Sequence, residues 1–350
     1  MPHFEDYLPG WRLCVKSTSI IFAVVFAFQL FSTEPALAAT GSPELERHAL
    51  AAPAVAESSV PALAAYLVSN AKTEVDKAWV IFRWVADRVS YDIDAYLAGH
   101  VRDPEVTAEQ VLAKRSSVCD GYALLFRELA RHAGLEVVKL SGYAKAYGVP
   151  PNSVFDSENH AWNLVKINGV WRIVDPTWGA GYVNDDKYKK KLDPLYFFAE
   201  PQQIKFTHWS QDASWHGVAV PGISKAEFET MPQVDPGLFH AGVSGEALSQ
   251  AARTPGFREF VHVFEQNHQD LMVLDAPLVG HLQAGKAYRF RYRAEAFEEI
   301  VAIHDGKWER LTRTGNVFEA NLQPGPGNVM VVGRTKATGR PTSLFEYTVE

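Results

Sequence analysis

The dipeptide Asn168-Gly169 constrains this chain more than any other feature, because it separates two β-rich runs. Asn-Gly between such runs is the strongest short-range signal for a β-hairpin with a two-residue loop. In that register, His160 and Asp175 are diagonal neighbours on one face of the hairpin, with Cβ atoms about 7 Å apart. A slip of one residue would move them to opposite faces. The turn therefore predicts an imidazole and a carboxylate within hydrogen-bonding reach.

Cys119 begins an apolar run with helical spacing, and Ser116 and Ser117 directly before it are candidate helix caps. The N-terminus of a helix and a neighbouring imidazolium both favour the thiolate form of a cysteine. His160 would supply the imidazolium, and Asp175 would orient its ring. Each residue alone has a plain structural explanation, namely a buried thiol, a structural histidine and an Asp that begins a turn. Together they predict a Cys-His-Asp catalytic triad.

Other residues are candidates for the edges of the same site. The backbone N–H of Cys119 is the predicted oxyanion donor, and Tyr91 and Trp84 are candidates for a second donor. Trp162, Trp178 and Tyr91 are candidates for the border of a substrate cleft. Core packing explains Trp162 equally well, so both interpretations of that residue stay open.

The first 38 residues differ in character from the rest of the chain. Arg12 and Lys16 precede the apolar run 20–31, and an Ala-x-Ala site ends at Ala38. This is the pattern of a secretory signal peptide, and the apolar run is shorter than the roughly 20 residues of a membrane-spanning helix. We expect cleavage near Ala38 and a secreted or periplasmic protein. An uncleaved N-terminal membrane anchor is the alternative.

Cleavage would also change the cysteine count. The chain has two cysteines, Cys14 and Cys119, and the mature protein would keep Cys119 alone. A single cysteine in an exported protein cannot form an internal disulfide, so it is either a buried inert thiol or a reactive one.

Composition limits the partners of the chain. Its 350 residues suffice for two domains with their own cores. A net charge of −7 argues against nucleic acid, because phosphate binding requires a basic face. We expect a peptide or protein partner, with cell-envelope proteins among the candidates, and the oligomeric state is open.

The chain divides into four segments by pattern. Residues 1–38 are the predicted signal peptide, and residues 39–58, rich in Ala, Pro, Ser and Glu, are a predicted flexible lead-in. Residues 59–235 mix helical and strand patterns, and residues 236–350 contain short β-rich runs separated by turn signals, typical of a small β-sandwich. The predicted strands of the last segment are Leu271–Leu274, Ala287–Arg293, Ile300–His304, Val317–Leu322, Asn328–Val332 and Ser343–Val349.

Within the third segment the elements are predicted as follows. Capping boxes indicate helices from Thr73 to about Ser90 and over Thr107–Ala113. Val137–Tyr143 has strand character, and the stretch from Pro176 to about Asp235 is predicted to be irregular.

Several of these motifs resemble the transglutaminase-like superfamily, and most closely its kyphoscoliosis-peptidase-like branch. The resemblance covers about residues 60–215, and the motifs that carry it are Ile81–Val85, Tyr91-Asp92, Ser117–Ala123, Asn159–Asn163, Trp171–Gly181, Tyr196-Phe197 and Thr207–Trp209. It implies a papain-like α+β fold, in which the cysteine helix packs on an antiparallel sheet, and a triad of Cys119, His160 and Asp175. No segment resembles the calcium loops of animal transglutaminases, so it implies neither metal nor cofactor.

The resemblance also implies a range of activities. Family members crosslink glutamine to lysine, hydrolyse peptide or amide bonds, or serve as interaction modules. We therefore predict an exported thiol enzyme that acts on peptide or protein amides through an acyl-thioester, as a peptidase or as an acyltransferase. The alternative is a non-catalytic envelope module that binds a partner through residues 236–350.

Overall fold

The helix that begins at Cys119 and the hairpin that turns at Asn168-Gly169 lie in the same compact unit of the structure, Ala38–Glu350. The computed structural model describes residues 41–100, 105–146, 148–218, 220, 222–264, 270–337 and 339–350. The predicted signal peptide, with Cys14, lies outside the described residues and stays a prediction. Within the described part of the chain, no helix is both long and apolar enough to span a bilayer.

Helices come first along the chain and strands dominate its end. The helices are α1 (Pro43–Leu50), α2 (Val60–Leu67), α3 (Glu74–Arg88), α4 (Ile93–Leu97), α5 (Ala108–Lys114), α6 (Cys119–His132), α7 (Pro201–Ile204), α8 (Lys225–Thr230), α9 (Pro236–His240) and α10 (Gly245–Ala251). The strands are β1 (Ser90–Tyr91), β2 (Ser116–Ser117), β3 (Val137–Ala144), β4 (His160–Ile167), β5 (Val170–Val174), β6 (Gly181–Asn184), β7 (Lys187–Lys190), β8 (Phe197–Ala199), β9 (His208–Ser210), β10 (His262–Val263), β11 (Met272–Asp275), β12 (His281–Leu282), β13 (Tyr288–Arg293), β14 (Phe297–His304), β15 (Lys307–Arg310), β16 (Thr312–Thr314), β17 (Val317–Leu322), β18 (Gly327–Thr335) and β19 (Pro341–Val349).

An antiparallel five-stranded sheet, in the order β8-β5-β4-β3-β9, supports the cysteine helix. Helix α6 packs on this sheet, and the amide of Asn163 in β4 donates to the Ala123 carbonyl at 3.0 Å. Phe126 and Leu129 of the helix share a buried core with Val165 of β4. The predicted α+β core, with the cysteine helix on an antiparallel sheet, is confirmed.

The β4–β5 hairpin has the predicted register. Ile167 pairs with Val170 at the turn, and the ladder continues to Asn163 and Val174. Asn168 and Gly169 have φ angles of 49° and 82°, the left-handed pair that a two-residue hairpin turn requires. Asp175 therefore follows directly on the last paired residue of β5.

Helix α3 forms the other wall of this core. It begins at the predicted capping box, in which the Thr73 hydroxyl accepts from Asp76 N–H at 3.0 Å and the Asp76 carboxylate accepts from Thr73 N–H at 3.0 Å. Trp79 and Trp84 of this helix are buried. Full burial of one large apolar side chain contributes about 1.5–3 kcal/mol, so this face anchors the helix.

The predicted caps of the cysteine helix are wrong. Residue Val118, which has no side-chain capping hydrogen bond, is the N-cap of α6. Ser116 and Ser117 instead form β2, which pairs in parallel with Ser90 and Tyr91. The start of the helix is therefore fixed by backbone pairing with a distant segment, which capping propensity does not detect.

Two further local predictions are wrong. The predicted flexible lead-in contains α1, which Ser42 caps and which buries Leu45 and Ala49 in the α3 core. The stretch predicted as irregular contains the β6–β7 hairpin, whose turn residues Asp185 and Asp186 have φ angles of 48° and 54°. Both segments are held by contacts with other parts of the unit: α1 through the buried core, and β7 through Lys190, which donates to the Val89 carbonyl at 2.9 Å.

The last part of the chain forms two sheets, antiparallel except for β12, which pairs in parallel with β19. One has the order β10-β19-β18-β14-β15, with β12 on β19, and the other has the order β11-β13-β17-β16. Phe290 and Tyr292 of the second sheet share one buried core with Ile300, Leu344 and Tyr347 of the first. The β-rich prediction is confirmed. The predicted domain boundary near residue 235 falls between α8 and α9 and stays a prediction.

Gly142 gives a test of how the sheet positions the site. This residue lies between His160 and Ser210 in the β4-β3-β9 ladder. A Cβ there would come within 2.1 Å of the Trp209 carbonyl oxygen and 2.9 Å of the Trp162 ring. We expect Gly142→Ala to lower the free energy of unfolding by about 1–3 kcal/mol, because overpacking strains the core. Urea denaturation measures this loss.

The matched control is Gly222→Ala, whose added Cβ would meet no atom closer than 3.5 Å. Its stability should stay within about 0.5 kcal/mol of the parent protein. Equal stabilities of the two variants would contradict the assigned packing around Gly142.

Candidate active site

A buried carboxylate and imidazole form the centre of the site. His160 is the first residue of β4, and its Nε2 lies 2.6 Å from Oδ2 of Asp175. The other oxygen, Oδ1, accepts hydrogen bonds from the N–H groups of Thr177 at 2.8 Å and Trp178 at 3.0 Å. Asp175 is fully buried, so these donors replace the water that its charge would otherwise require.

Cys119 interacts with the same imidazole. It is the first residue of α6 and is buried. A hydrogen bond with Cys119 is among the causes that raise the pKa of His160. Because Nε2 of His160 is bonded to Asp175, Nδ1 is the ring nitrogen left for the thiol. The structure thus brings the three predicted triad residues together in the order thiol, imidazole, carboxylate.

The electrostatic surroundings of His160 favour its protonated, imidazolium form. Burial lowers the pKa of His160, but the charge of Asp175 and the hydrogen bonds of the ring with Asp175 and Cys119 raise it to about 10. For Asp175, burial raises the pKa, but the two imidazoles of His160 and His208 outweigh it and leave it well below its usual range. The geometry therefore suits a proton held on His160 between two acceptors.

A second buried ion pair compensates the charge next to the thiol. Asp120 follows Cys119 in the first turn of α6 and is buried. Its Oδ1 lies 2.5 Å from Nζ of Lys139 in β3. The Lys139 ammonium therefore neutralises the Asp120 carboxylate next to Cys119 in the helix.

Comparison with known proteins matches the segment that holds these residues. A family model described as the transglutaminase-like superfamily covers residues 61–176, which include Cys119, His160 and Asp175. The chain carries a transglutaminase-like domain. The predicted resemblance is confirmed for this segment.

The relatives of this domain are larger proteins. Human kyphoscoliosis peptidase is 30% identical over 178 residues, which are 50% of this chain and 26% of that protein. Hillarin of Drosophila melanogaster is 28% identical over 195 residues, which are 51% of this chain and 23% of that protein. The chain thus spans about a quarter of the length of these relatives.

Solved structures overlap only loosely with this chain. A TGase shares 20% identity at a TM-score of 0.26 and covers 38% of this chain and 32% of its own. An N-arylamine acetyltransferase variant of Mycobacterium smegmatis shares 11% identity at a TM-score of 0.27, over 77% of this chain and 78% of its own. At such low TM-scores, neither of these two structures indicates where any residue of the site lies.

Aromatic side chains surround the imidazole of the transglutaminase-like domain. Trp162 is 1% exposed and its ring stacks at 5.8 Å from that of His160, so its packing role is evident. Trp178 is half-buried at 5.5 Å from His160, and Tyr91 is half-buried. Trp84 was a candidate oxyanion donor, but its indole N–H donates to Glu57 at 3.1 Å, so that assignment is wrong.

A second histidine, which the sequence reasoning did not assign to the site, binds the same carboxylate. Nε2 of His208 in β9 lies 3.0 Å from Oδ2 of Asp175, and its Nδ1 lies 2.8 Å from the hydroxyl of Thr207. The ring is buried and packs 4.5 Å from that of Trp178. The Thr207–Trp209 motif of the resemblance was the available signal for this residue.

The two imidazoles differ in charge. Burial lowers the pKa of His208 to about 4, further lowered by His160 and opposed by Asp175. A neutral His208 that donates from Nε2 to Asp175 can accept a hydrogen bond from the Thr207 hydroxyl at Nδ1. One carboxylate thus holds a charged ring on one side and a neutral ring on the other.

These three side chains also have the composition of a metal site. The ligand atoms of His160, Asp175 and His208 lie within 4.8 Å of one another. Tetrahedral zinc, with bonds of about 2.0–2.2 Å, holds its ligand atoms about 3.3 Å apart. The 2.6 Å between His160 and Asp175 is shorter than this and matches a charge-assisted hydrogen bond. The distance between His160 Nε2 and Asp175 Oδ2 therefore fits a hydrogen bond better than a pair of zinc ligands.

The neutral state of His208 predicts a pH dependence of stability. Its folded pKa, about 4, lies below the unfolded value of 6.5, so its contribution is complete above pH 6.5 and is lost as pH falls towards 4. In that window it adds a slope of up to about 1.4 kcal/mol per pH unit to the free energy of unfolding. His208→Gln keeps a donor without a titrating ring, so urea denaturation from pH 6.5 to 4.5 should give a shallower slope.

The control is His132→Gln, because His132 is exposed at the end of α6. Its slope should equal that of the parent protein. A His208→Gln slope that also equals the parent slope would show that His208 titrates alike in the folded and unfolded states.

Proposed function

We propose that this chain is an exported thiol enzyme that acts on peptide or protein amide bonds through an acyl-thioester. The observation that carries the proposal is the single chain of contacts from Cys119 through His160 to Asp175. Nucleophile, general base and orienting carboxylate are the parts that such catalysis requires. Export is proposed on the signal-like pattern of residues 1–38.

The residues suggest the following course of reaction. The thiolate of Cys119 attacks the amide carbonyl carbon, and its backbone N–H at the start of α6 donates to the oxyanion that forms. His160 transfers its proton to the leaving amine as the C–N bond breaks, which leaves an acyl-thioester and a neutral imidazole. His160 then removes a proton from the attacking acceptor, and the C–S bond breaks to restore the thiolate. Asp175 stabilises the imidazolium in both steps.

Water is the acceptor that we propose for the second step. Human kyphoscoliosis peptidase, by its name, cleaves peptides, and it is 30% identical to this chain over 178 residues. Transfer to a primary amine is the competing outcome, because the family model is named for transglutaminases. Both outcomes pass through the same thioester and differ only in the group that resolves it.

The first test is alkylation of Cys119 by iodoacetamide across pH, with the modified peptide identified by mass spectrometry. The parent protein should react near its maximal rate at pH 6, because the imidazolium of His160 stabilises the thiolate. In His160→Ala the rise should move to about pH 8.5, the value of a free thiol. The exposed His132→Ala is the control. A parent protein that reacts only near pH 8.5 would sink the proposal.

A second test identifies the acceptor. We expect the enzyme acylated by p-nitrophenyl acetate to release acetate at a rate that added ethylamine does not change, with little N-ethylacetamide formed. Cys119→Ala should release neither product above background. Conversion of most of the acyl group to the amide would replace hydrolysis by transfer and leave the thioester chemistry intact.

A further inference from the structure

Backbone pairing places Tyr91 next to the nucleophile. Strands β1 and β2 run in parallel, with Tyr91 opposite Ser117, and the N–H of Asp92 donates to the Ser117 carbonyl at 3.0 Å. Cys119 follows Ser117 by two residues. Main-chain hydrogen bonds therefore fix the backbone of the half-buried Tyr91 beside the start of α6.

The ring of Tyr91 packs among other tyrosines at this helix end. Its centroid lies 6.3 Å from that of Tyr122 and 6.1 Å from that of Tyr188. Tyr122 lies three residues after Cys119 in α6, so both side chains share one face of the helix. Two independent contacts, the strand pairing and this ring, thus hold the Tyr91 side chain on the face where the thiol lies.

The hydroxyl of Tyr91 differs from those of its neighbours. Tyr122 donates to the Val89 carbonyl at 2.7 Å, and Tyr188 donates to the Ala180 carbonyl at 2.9 Å. Among the described residues, the Tyr91 hydroxyl has no hydrogen-bond partner. Burial, and next the charge of Cys119, raise the pKa of Tyr91, so the group stays a neutral O–H beside the thiolate. A donor that the fold leaves free at this place can serve a ligand.

We propose that the Tyr91 hydroxyl is the second donor of the oxyanion hole, paired with the backbone N–H of Cys119. The inference rests on the proposed acyl-thioester function and assigns a catalytic residue to it. The tetrahedral oxyanion, and not the thiolate alone, would receive this hydrogen bond. Trp84 cannot take the role because Glu57 binds its indole N–H.

Trp162 is the alternative candidate for the second donor of the oxyanion hole. Its indole N–H is buried and lacks a hydrogen-bond partner within the described residues. Its ring, however, packs against the His160 and His208 rings, with centroids at 5.8 Å and 5.1 Å, which is the carboxylate side of the site. Tyr91 is held instead at the cysteine helix, where the attacked carbonyl must lie.

Two reagents distinguish a residue that donates to the oxyanion from one that only affects the reactivity of the Cys119 thiol. Alkylation by iodoacetamide displaces iodide and forms no oxyanion, whereas acylation by p-nitrophenyl acetate passes through one. For Tyr91→Phe we expect the acylation rate to fall about 10²-fold, the cost of one oxyanion donor. Its alkylation rate should stay within about twofold of the parent rate, because the thiolate is untouched.

Tyr96→Phe is the matched control, since Tyr96 lies 5.9 Å from the Tyr91 ring, and Trp162→Phe tests the rival. Melting temperatures establish that each variant is folded. The proposal is overturned if Tyr91→Phe loses both rates together, if it loses neither, or if Trp162→Phe alone loses acylation selectively. A parent protein that p-nitrophenyl acetate does not acylate would instead refute the proposed function.

Discussion

The structure of the site depends on one buried charge. Asp175 is fully buried, and an unpaired carboxylate in such a place costs several kcal/mol. Four donors satisfy it: two backbone N–H groups of the turn that follows, and one imidazole each from β4 and β9. The central strand β4, the edge strand β9 and the turn must all be in place before this charge is stable. The same bonds orient His160 towards Cys119, so stability and the proposed chemistry share one set of contacts.

The two histidines on this carboxylate show how environment separates equal groups. His160 interacts with both Cys119 and Asp175, so its charged form is favoured despite burial. His208 touches Asp175 and a hydroxyl, and burial dominates, so its neutral form is favoured. The neutral ring adds a hydrogen bond to the carboxylate without adding a second positive charge. That arrangement leaves His160 as the proton carrier of the site.

Predictions succeeded where local chemistry determines the outcome. The hairpin register followed from Asn168-Gly169, because a two-residue turn with positive φ allows one pairing of its strands. The start of α3 followed from its capping box, because Thr73 and Asp76 bond within one turn. Prediction failed at Ser116 and Ser117, where pairing with a segment some 26 residues earlier overrides the capping tendency of serine.

The sequence alone therefore determined the α+β class of the core, the β-rich end of the chain and the juxtaposition of His160 with Asp175. These depend on periodicity and on one tight turn, which act over a few residues. The tertiary structure alone decided that His208 shares the carboxylate and that Glu57 binds the Trp84 indole N–H, whereas the Tyr91 hydroxyl has no hydrogen-bond partner among the described residues. The His208–Asp175 and Trp84–Glu57 hydrogen bonds join residues that lie 33 and 27 positions apart in the chain. They form only when separate segments pack together, because hydrogen-bond partners at that distance are chosen by packing and not by local propensity.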